Sequence, residues 1–286
     1  MLLTGAHMSI AGGMHLAFSR GEEVGCAAIQ IFTKNASQWR GKPISAADAE
    51  AFRQAWQASS IGPVIAHDSY LINLAAPDEE MWRKSIAAFV DELERCALLG
   101  IPELVMHPGA HLGAGEESGL QRMAAAFREI FSVAPDGVTV LLENTAGQGT
   151  CLGHRFEHLA SIMEQVPNGR FGVCFDTCHA WAAGYDLSSA EGYAATLAEF
   201  ERHIGLPRLR VFHVNDCRKG LGCRVDRHEH VGQGSIGEAG FAALMQDARL
   251  AGIPKILETP KGEDGEFDRM NLATLRRLAA GGEREG

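Results

Sequence analysis

The feature that most constrains the fold is a series of eight short apolar runs, separated by longer amphipathic segments. Runs of this length are typical of buried strands, and the longer segments place apolar residues three and four positions apart, as amphipathic helices do. The predicted strands are Leu2–His7, Ala27–Phe32, Pro63–His67, Glu103–His107, Val138–Glu143, Phe171–Asp176, Leu209–Val214 and Lys255–Glu258. The predicted helices include Met81–Leu99, Gly119–Phe131, Phe156–Val166, Ala190–His203 and Ala239–Ala251.

Eight strands alternating with helices in a chain of 286 residues predict an α/β fold, a single TIM-type (β/α)8 barrel domain spanning residues 1–286. An open doubly wound sheet is the alternative, which is disfavoured because no GxGxxG motif follows the first strand. Ser45 and Ser188 are predicted helix N-caps because an acidic residue follows each of them three positions later. Gly100 and Gly252 are predicted to end helices.

Six consecutive predicted strands, the third to the eighth, carry a histidine or an acidic residue at their carboxyl end, either as the last residue or one position before it. These residues are His67, His107, Glu143, Asp176, His213 and Glu258. Because the carboxyl ends of parallel barrel strands meet on one face, the six side chains should converge there. Carboxylates and imidazoles packed together without compensation would be unfavourable, whereas bound metal ions would offset the cost.

Three further candidate ligands lie just beyond the strand ends. His179 follows Asp176 by three positions, while Asp226 and His228 flank Arg227 in an extended segment that places both side chains on one side. All nine candidates are imidazole or carboxylate donors, a set that suits Zn²⁺, with Mn²⁺ or Fe²⁺ as possible substitutes.

Of the seven other histidines, His230 is a candidate neighbour of the ligands, and the remaining six divide into two groups. His7 and His111 lie near strand ends and are predicted to support the ligands through hydrogen bonds. Four more lie on or beside helical segments and are predicted to be surface residues: His15, His154, His158 and His203.

Composition leaves the class of ligand open. The formal net charge of −10 argues against a nucleic-acid binder, because phosphate contacts need Lys and Arg. However, residues 34–42 and 218–227 form basic runs, and bound divalent cations would add local positive charge.

Cysteine content and the absence of long apolar stretches indicate a cytoplasmic protein. Seven scattered cysteines, an odd number, are typical of a reducing compartment, and Cys174 and Cys178 are predicted to line the barrel wall or neighbour the ligands. No stretch approaches the roughly 20 apolar residues of a membrane span. The first residues lack the basic start and apolar run of a signal peptide.

Several longer motifs contain these candidate ligands. They are GAHMSIAGG, IFTKNASQW, HDSYLINL, HPGAHLG, LENTAGQGT, DTCHAWAAGYD, HVND, CRVDRHEHVGQGSIG and LETP. Through them, nearly the whole chain resembles the endonuclease IV family of abasic-site endonucleases, which act in base excision repair. The resemblance implies a (β/α)8 barrel with a trinuclear zinc cluster.

The resemblance also implies how nine ligands would divide among three zinc ions. His67 and His107 would hold the first ion, with Glu143 bridging to the second. The second site would be completed by Asp176, His213 and Glu258, and the third would consist of His179, Asp226 and His228. A metal-bridging water is then expected to lose its proton near neutral pH and attack the phosphodiester, with Glu143 and Glu258 as candidate catalytic residues that orient it.

The substrate implied by the resemblance is double-stranded DNA containing abasic sites or blocked 3′ ends. Cleavage is expected 5′ of the abasic sugar, leaving a 3′-hydroxyl. The abasic nucleotide would flip out of the stack, and Tyr70 and Leu71 are predicted to fill the gap from the minor groove. Gln38 and Trp39 are further predicted DNA contacts.

Two other functions are compatible with metal-type residues at barrel strand ends. A metal-dependent sugar isomerase of the same barrel superfamily would need neither the third ligand set nor the Tyr70–Leu71 loop. A non-catalytic metal-binding or regulatory barrel would bind metal without turnover on nucleic acid. A monomer is the expected oligomeric state.

Overall fold

The computed structural model describes residues 2–282, so Met1 and residues 283–286 of the predicted 1–286 domain lie outside the described part. Eight parallel strands close into a barrel in the order β1-β2-β3-β4-β5-β6-β7-β10, which confirms the predicted (β/α)8 fold. The barrel strands are β1 Thr4–His7, β2 Ala28–Phe32, β3 Val64–His67, β4 Glu103–Met106, β5 Thr139–Glu143, β6 Phe171–Asp176, β7 Leu209–His213 and β10 Lys255–Leu257. The short strands β8 (Asp216–Cys217) and β9 (His228–Glu229) pair as an antiparallel hairpin within the connection that follows β7.

Helices surround the barrel and supply the second layer of the fold. They are α1 Leu16–Val24, α2 Ala46–Ala58, α3 Glu79–Leu99, α4 Glu116–Val133, α5 Phe156–Gln165, α6 Thr177–Ala183, α7 Ala190–His203, α8 Gly237–Gln246 and α9 Glu266–Ala279. No described helix is both long and apolar enough to cross a membrane. Strands and helices bury one large apolar cluster between the two layers.

Two of the four predicted helix boundaries are confirmed. Ser45 caps α2 through a reciprocal capping box with Asp48, and Gly100 ends α3 in the left-handed conformation at φ 79°. The Ser188 prediction is wrong because Ser189 caps α7, accepting a hydrogen bond from the backbone N–H of Gly192.

The predicted end of the following helix at Gly252 is also wrong. Helix α8 stops at Gln246, where the Asp247 side chain accepts the Arg249 N–H and starts a separate 3-10 turn over Ala248–Leu250. A side-chain cap thus interrupts an apolar pattern that would otherwise continue.

The barrel interior is filled below the carboxyl ends of the strands. Seven fully buried side chains, each from a different strand, form this layer: Ala28, Ile65, Val105, Leu141, Cys174, Val211 and Ile256. Cys174 therefore packs inside the barrel. At the β1–β2 contact, a Cβ on Gly5 would lie 1.7 Å from the Ala28 carbonyl oxygen, so only glycine allows these strands to pair. The filled interior forms a closed floor beneath the strand ends.

The connection after β7 is held over the barrel mouth by one buried carboxylate. Asp216 accepts hydrogen bonds from four backbone N–H groups, those of Cys217, Gly234, Ile236 and Gly237, at 2.7 to 3.3 Å. These bonds anchor both sides of the β8–β9 hairpin. They thereby position the segment that carries Asp226 and His228.

Candidate metal centre

Glu143, the last residue of β5, lies at the centre of the barrel mouth and is fully buried. Its Oε2 is 3.2 Å from the Nε2 atoms of both His67 and His107. Its Oε1 is 3.1 Å from the Nδ1 atoms of both His179 and His213. Burial alone would raise the pKa of Glu143, but the surrounding imidazoles, led by His213 and His107, hold this pKa well below its ordinary value. One carboxylate therefore joins four of the candidate ligands.

A second group of donors meets the same atom of the His213 ring as Glu143 does. The Nδ1 of His213 is 3.2 Å from Glu258 Oε2 and 3.9 Å from Asp176 Oδ2. Gln30, a buried residue of β2, donates to Glu258 Oε1 at 2.7 Å, and its own Oε1 lies 2.7 Å from His213 Nε2. Gln30 therefore orients two candidate ligands from across the barrel.

The third group is assembled by a short helix and the β8–β9 hairpin. Asp176 ends β6 and caps α6 by accepting the His179 N–H at 2.7 Å, which places the His179 ring one turn later over the mouth. Asp226 bridges two imidazoles, with its oxygens 3.2 Å from His179 Nε2 and 3.2 Å from His228 Nε2. His228 Nε2 is also 3.7 Å from Asp176 Oδ2. The three groups thus share ligands and form one continuous cluster.

The orientation of the histidine rings provides a test of whether the cluster suits metal ions. Three rings have a backbone carbonyl oxygen close to Nδ1: Asp68 O to His67 at 3.0 Å, Asn144 O to His179 at 2.9 Å and Glu258 O to His228 at 3.1 Å. A carbonyl only accepts hydrogen bonds, so each neutral ring carries its proton on Nδ1 and directs the Nε2 lone pair into the centre. Nε2 of His228 is buried and makes no hydrogen bond of acceptable geometry among the described residues, although Asp226 Oδ1 lies 3.2 Å away. This pattern fits metal ligation.

The charge balance of the cluster leads to the same conclusion. Four carboxylates converge at the mouth, and desolvation disfavours their charged forms. Burial lowers the pKa values of His67 and His179, but neighbouring carboxylates overcome this effect and raise both pKa values well above the ordinary range. Protons on these rings thus supply positive charge that divalent cations could supply in their place. The donor set therefore fits hard or borderline divalent metals such as Zn²⁺.

Two of the groups correspond to compact three-residue sets. The ligand atoms of His67, His107 and Glu143 lie within 4.8 Å of one another, as do those of His179, Asp226 and His228. Burial would raise the pKa of the half-exposed Asp226, but the hydrogen bond and charge of His179 lower this pKa to about 2. All nine sequence-predicted ligand positions are brought to the barrel mouth.

The structure adds supporting residues that strand-end spacing did not identify. Asn215 donates to Asp176 Oδ2 at 2.7 Å and accepts the Glu258 N–H at 2.8 Å. Asn144 donates to the Asp176 carbonyl oxygen at 2.9 Å. Each asparagine follows a strand-end ligand by one or two positions, in LENT and HVND, and that adjacency is the signal that could have revealed them.

The predictions for the remaining histidines have mixed outcomes. His7 Nδ1 lies 3.0 Å from Gln30 Nε2 and 3.7 Å from Glu258 Oε1, so His7 neighbours a candidate ligand but reaches it through Gln30 and not by a direct hydrogen bond. The prediction for His111 is wrong, because its Nδ1 accepts the Gly115 N–H and its side chain makes no hydrogen bond or ion pair with the nine candidates among the described residues.

The surface prediction is also wrong for two histidines at the start of α5. His154 and His158 are buried, and the His158 Nδ1 accepts the Gly153 N–H at 3.1 Å. The Arg155 guanidinium lies 3.1 Å from His158 Nε2 and donates to Glu116 at 2.9 Å. The loop before α5 covers these rings. The spacing of apolar residues in the sequence reports only which side of a helix is buried, so it could not predict this burial.

Comparison with known proteins identifies the family. A family model described as a xylose isomerase-like TIM barrel matches residues 18–278. A probable endonuclease 4 from Geobacter sulfurreducens is 59% identical over 277 residues, covering 96% of this chain and 93% of that protein. A probable endonuclease 4 from Chloroflexus aurantiacus is 58% identical over 281 residues, covering 98% and 99%.

The chain belongs to the endonuclease IV family. The crystal structure of endonuclease IV from Thermus thermophilus superposes with a TM-score of 0.85 at 39% identity, covering 97% of this chain and 99% of that chain. Membership in the endonuclease IV family confirms the predicted resemblance and the prediction of a hydrolytic nuclease.

In this member of the endonuclease IV family, the four predicted DNA contacts lie on two loops at the barrel mouth. Tyr70 is 68% exposed, and its ring packs edge-on against Phe32 with centroids 5.4 Å apart. Leu71 and Trp39 are partly buried, whereas Gln38 is exposed. A cavity of about 320 Å³ lies between the Tyr70 loop and the third ligand group, with Gln148 and Arg227 in its wall.

Proposed function

We propose that this chain hydrolyses the DNA backbone 5′ of abasic sites in base excision repair, leaves a 3′-hydroxyl, and trims blocked 3′ ends. The observation that carries the proposal is the convergence of nine imidazole and carboxylate donors at the barrel mouth, with Glu143 at their centre. Membership in the endonuclease IV family supports this substrate and distinguishes the proposal from a sugar isomerase.

We further propose that the cluster holds three zinc ions. The compact sets His67–His107–Glu143 and His179–Asp226–His228 would hold two of them, and the donors around His213 would hold the third together with Glu143. Ions bound there would supply Lewis acidity toward the phosphate and a lowered pKa for water.

The protein's own side chains would orient the reactants. Glu143 and Glu258 are the proposed catalytic residues, because each presents a buried or partly buried carboxylate at the centre of the mouth to orient the attacking water. Gln30 restricts Glu258 by binding one of its oxygens, so the other oxygen points toward His213. Fixed orientation of this kind lowers the entropic cost of reaching the transition state.

Recognition of the lesion is assigned to the Tyr70 loop. The exposed Tyr70 ring packs against the rings of Phe32 and His67. Because most of the Tyr70 side chain is already exposed, inserting it into a DNA duplex would not remove it from the protein core. We propose that Tyr70 and Leu71 occupy the gap left by a flipped abasic nucleotide, while Gln38 and Trp39 contact the neighbouring strand. The cavity of about 320 Å³ beside Tyr70 offers space for the extruded sugar.

The proposal is tested with a duplex oligonucleotide that carries one abasic analogue. Native protein should cut 5′ of the lesion, lose activity when metal is stripped, and regain it with Zn²⁺. Asp226→Ala/His228→Ala should abolish cutting, whereas the control Asp136→Ala/His203→Ala removes the same two groups far from the mouth and should retain it. A folded, zinc-loaded native protein that cuts no abasic duplex would refute the nuclease proposal, and ketose and aldose sugars would be assayed next.

A monomeric, cytoplasmic enzyme is part of the same proposal. All nine candidate ligands come from one chain, so assembly of the centre needs no second copy. Size-exclusion chromatography with light scattering should give one chain per particle.

A further inference from the structure

A buried network of charges lies beneath the β2–α2 loop, residues 33–42, away from the nine candidate ligands. The Lys34 ammonium is 2.9 Å from Glu92 Oε1 and 3.0 Å from Asp91 Oδ2. The side chains of Lys34 and Glu92 are only 2% and 1% exposed. Charges are costly to bury, and a well-packed apolar pair would stabilise a core at least as well. The network therefore calls for an explanation beyond packing.

Arg95 of α3 connects this network to both ends of the loop. Its guanidinium donates to the Thr33 carbonyl oxygen at 2.6 Å and to Thr33 Oγ1 at 3.0 Å. Another of its N–H groups donates to the Lys42 carbonyl oxygen at 3.0 Å. The Thr33 hydroxyl in turn donates to Glu92 Oε2 at 2.6 Å. One arginine thus holds the first and last residues of the loop to the same helix.

The approach of the loop to this network is close. A Cβ on Gly41 would lie 2.8 Å from the Cβ of Lys34 and 3.1 Å from the Arg95 Cζ. A larger residue at position 41 would push the returning strand of the loop away from Arg95. The geometry therefore depends on glycine at this position.

The tip of the loop is held by two further contacts. The Ser69 hydroxyl donates to the Ala36 carbonyl oxygen at 2.7 Å, which joins this loop to the segment carrying Tyr70. The Lys84 ammonium lies 4.2 Å from the centre of the Trp39 ring. Lys84, Asp91 and Arg95 are spaced by seven and four residues on α3, so they share one face of the helix.

We propose that Glu92 and Arg95 are positioning residues, which hold the 33–42 loop in the shape that contacts DNA. This inference rests on the proposed function, because Gln38 and Trp39 are the loop residues assigned to DNA. If only a fraction of the molecules has the loop in its binding conformation, the apparent affinity for DNA is the intrinsic affinity multiplied by that fraction. The network should therefore act on substrate binding rather than on the chemical step.

The test compares Glu92→Gln, Arg95→Lys and Arg95→Met with the control Glu94→Gln. Glu94→Gln makes the same change as Glu92→Gln at an exposed position of the same helix. Zinc content and thermal unfolding establish that each variant is folded and loaded. KM and kcat are measured on abasic duplex, and trypsin cleavage after the exposed Arg40 reports loop mobility without DNA.

The expected result is a rise in KM of about tenfold for Glu92→Gln and Arg95→Met with kcat unchanged, as for a partly populated binding state. Trypsin should cut their Arg40–Gly41 bond faster than in the native protein or in Glu94→Gln. Arg95→Lys should resemble Arg95→Met, because one ammonium cannot reach both Thr33 and Lys42.

Two results would overturn the inference. The first is an unchanged KM and trypsin rate in folded Glu92→Gln and Arg95→Lys. The second is a loss of kcat at unchanged KM, which would place the effect at the metal centre. Failure of the native protein to cut abasic DNA would instead refute the proposed function, and the trypsin rates would still decide whether the network holds the loop.

Discussion

Replacing Gln30 with leucine tests whether the cross-barrel amide is part of the metal centre. The substitution keeps a similar volume but removes the hydrogen bond donated to Glu258 and the contact with His213 Nε2. A hydrogen bond to a charged group contributes about 1.5–3 kcal/mol, and an unsatisfied buried N–H costs about 1–3 kcal/mol. We therefore expect Gln30→Leu to destabilise the metal-free protein by roughly 2.5–6 kcal/mol.

Zinc affinity should fall as well, by about 10–100-fold, because partners that orient metal ligands contribute on that scale. The assays are urea unfolding of the metal-free protein and zinc competition against a chromophoric chelator. Gln54→Leu is the control, since Gln54 is an exposed residue whose amide contacts Glu50 on the surface of α2. An identical urea midpoint and zinc affinity for Gln30→Leu and Gln54→Leu would refute the reasoning.

Three further outcomes are expected. Asn215→Ala should weaken zinc binding by about 10–100-fold because it removes the hydrogen bond that orients Asp176 Oδ2, and chelator competition measures the change. In the metal-free protein, the pKa values of His67 and His179 are raised, so protonation of these rings stabilises the folded state. This contribution to the free energy of unfolding is complete below the ordinary pKa of 6.5 and is lost as the pH rises through the raised pKa values. Urea midpoints should therefore fall with rising pH above about 6.5 without metal, and a pH-independent midpoint there would contradict the assignment. Tyr70→Ala, at a 68% exposed position, should change unfolding free energy by less than about 0.5 kcal/mol yet weaken binding of abasic duplex relative to undamaged duplex, measured by fluorescence anisotropy.

The chain's negative charge is compatible with a DNA substrate because of where the charges lie. Four carboxylates are gathered in the metal centre, where cations would neutralise them. The three proposed zinc ions would contribute +6, which would change the formal net charge from −10 to −4. Arg227 lines the cavity of about 320 Å³ and also a neighbouring cavity of about 450 Å³ that borders His179 and His228, so positive charge lies where a phosphate would approach.

The sequence predicted the barrel and the positions of the candidate ligands for one geometric reason. The apolar runs predict the strands, and a parallel barrel places the carboxyl ends of all strands on one face. Polar side chains at those ends therefore lie close to one another. Glu143 and Asp176 are the last residues of their strands, as predicted, while His107 and Glu258 each follow a strand that ends one residue earlier. Only the strand boundary differs by one residue, so the side chains of His107 and Glu258 still lie at the carboxyl end of the barrel.

Only the tertiary structure decided which ring atoms face the centre and what supports them. Gln30 meets His213 across 183 residues of sequence, and the Glu258 carbonyl orients His228 from the neighbouring strand end. His158 is buried because the loop before α5 folds over it. Local periodicity carries information about strands, helices and their ends, whereas these contacts depend on how distant segments pack, so they emerge only when the barrel closes.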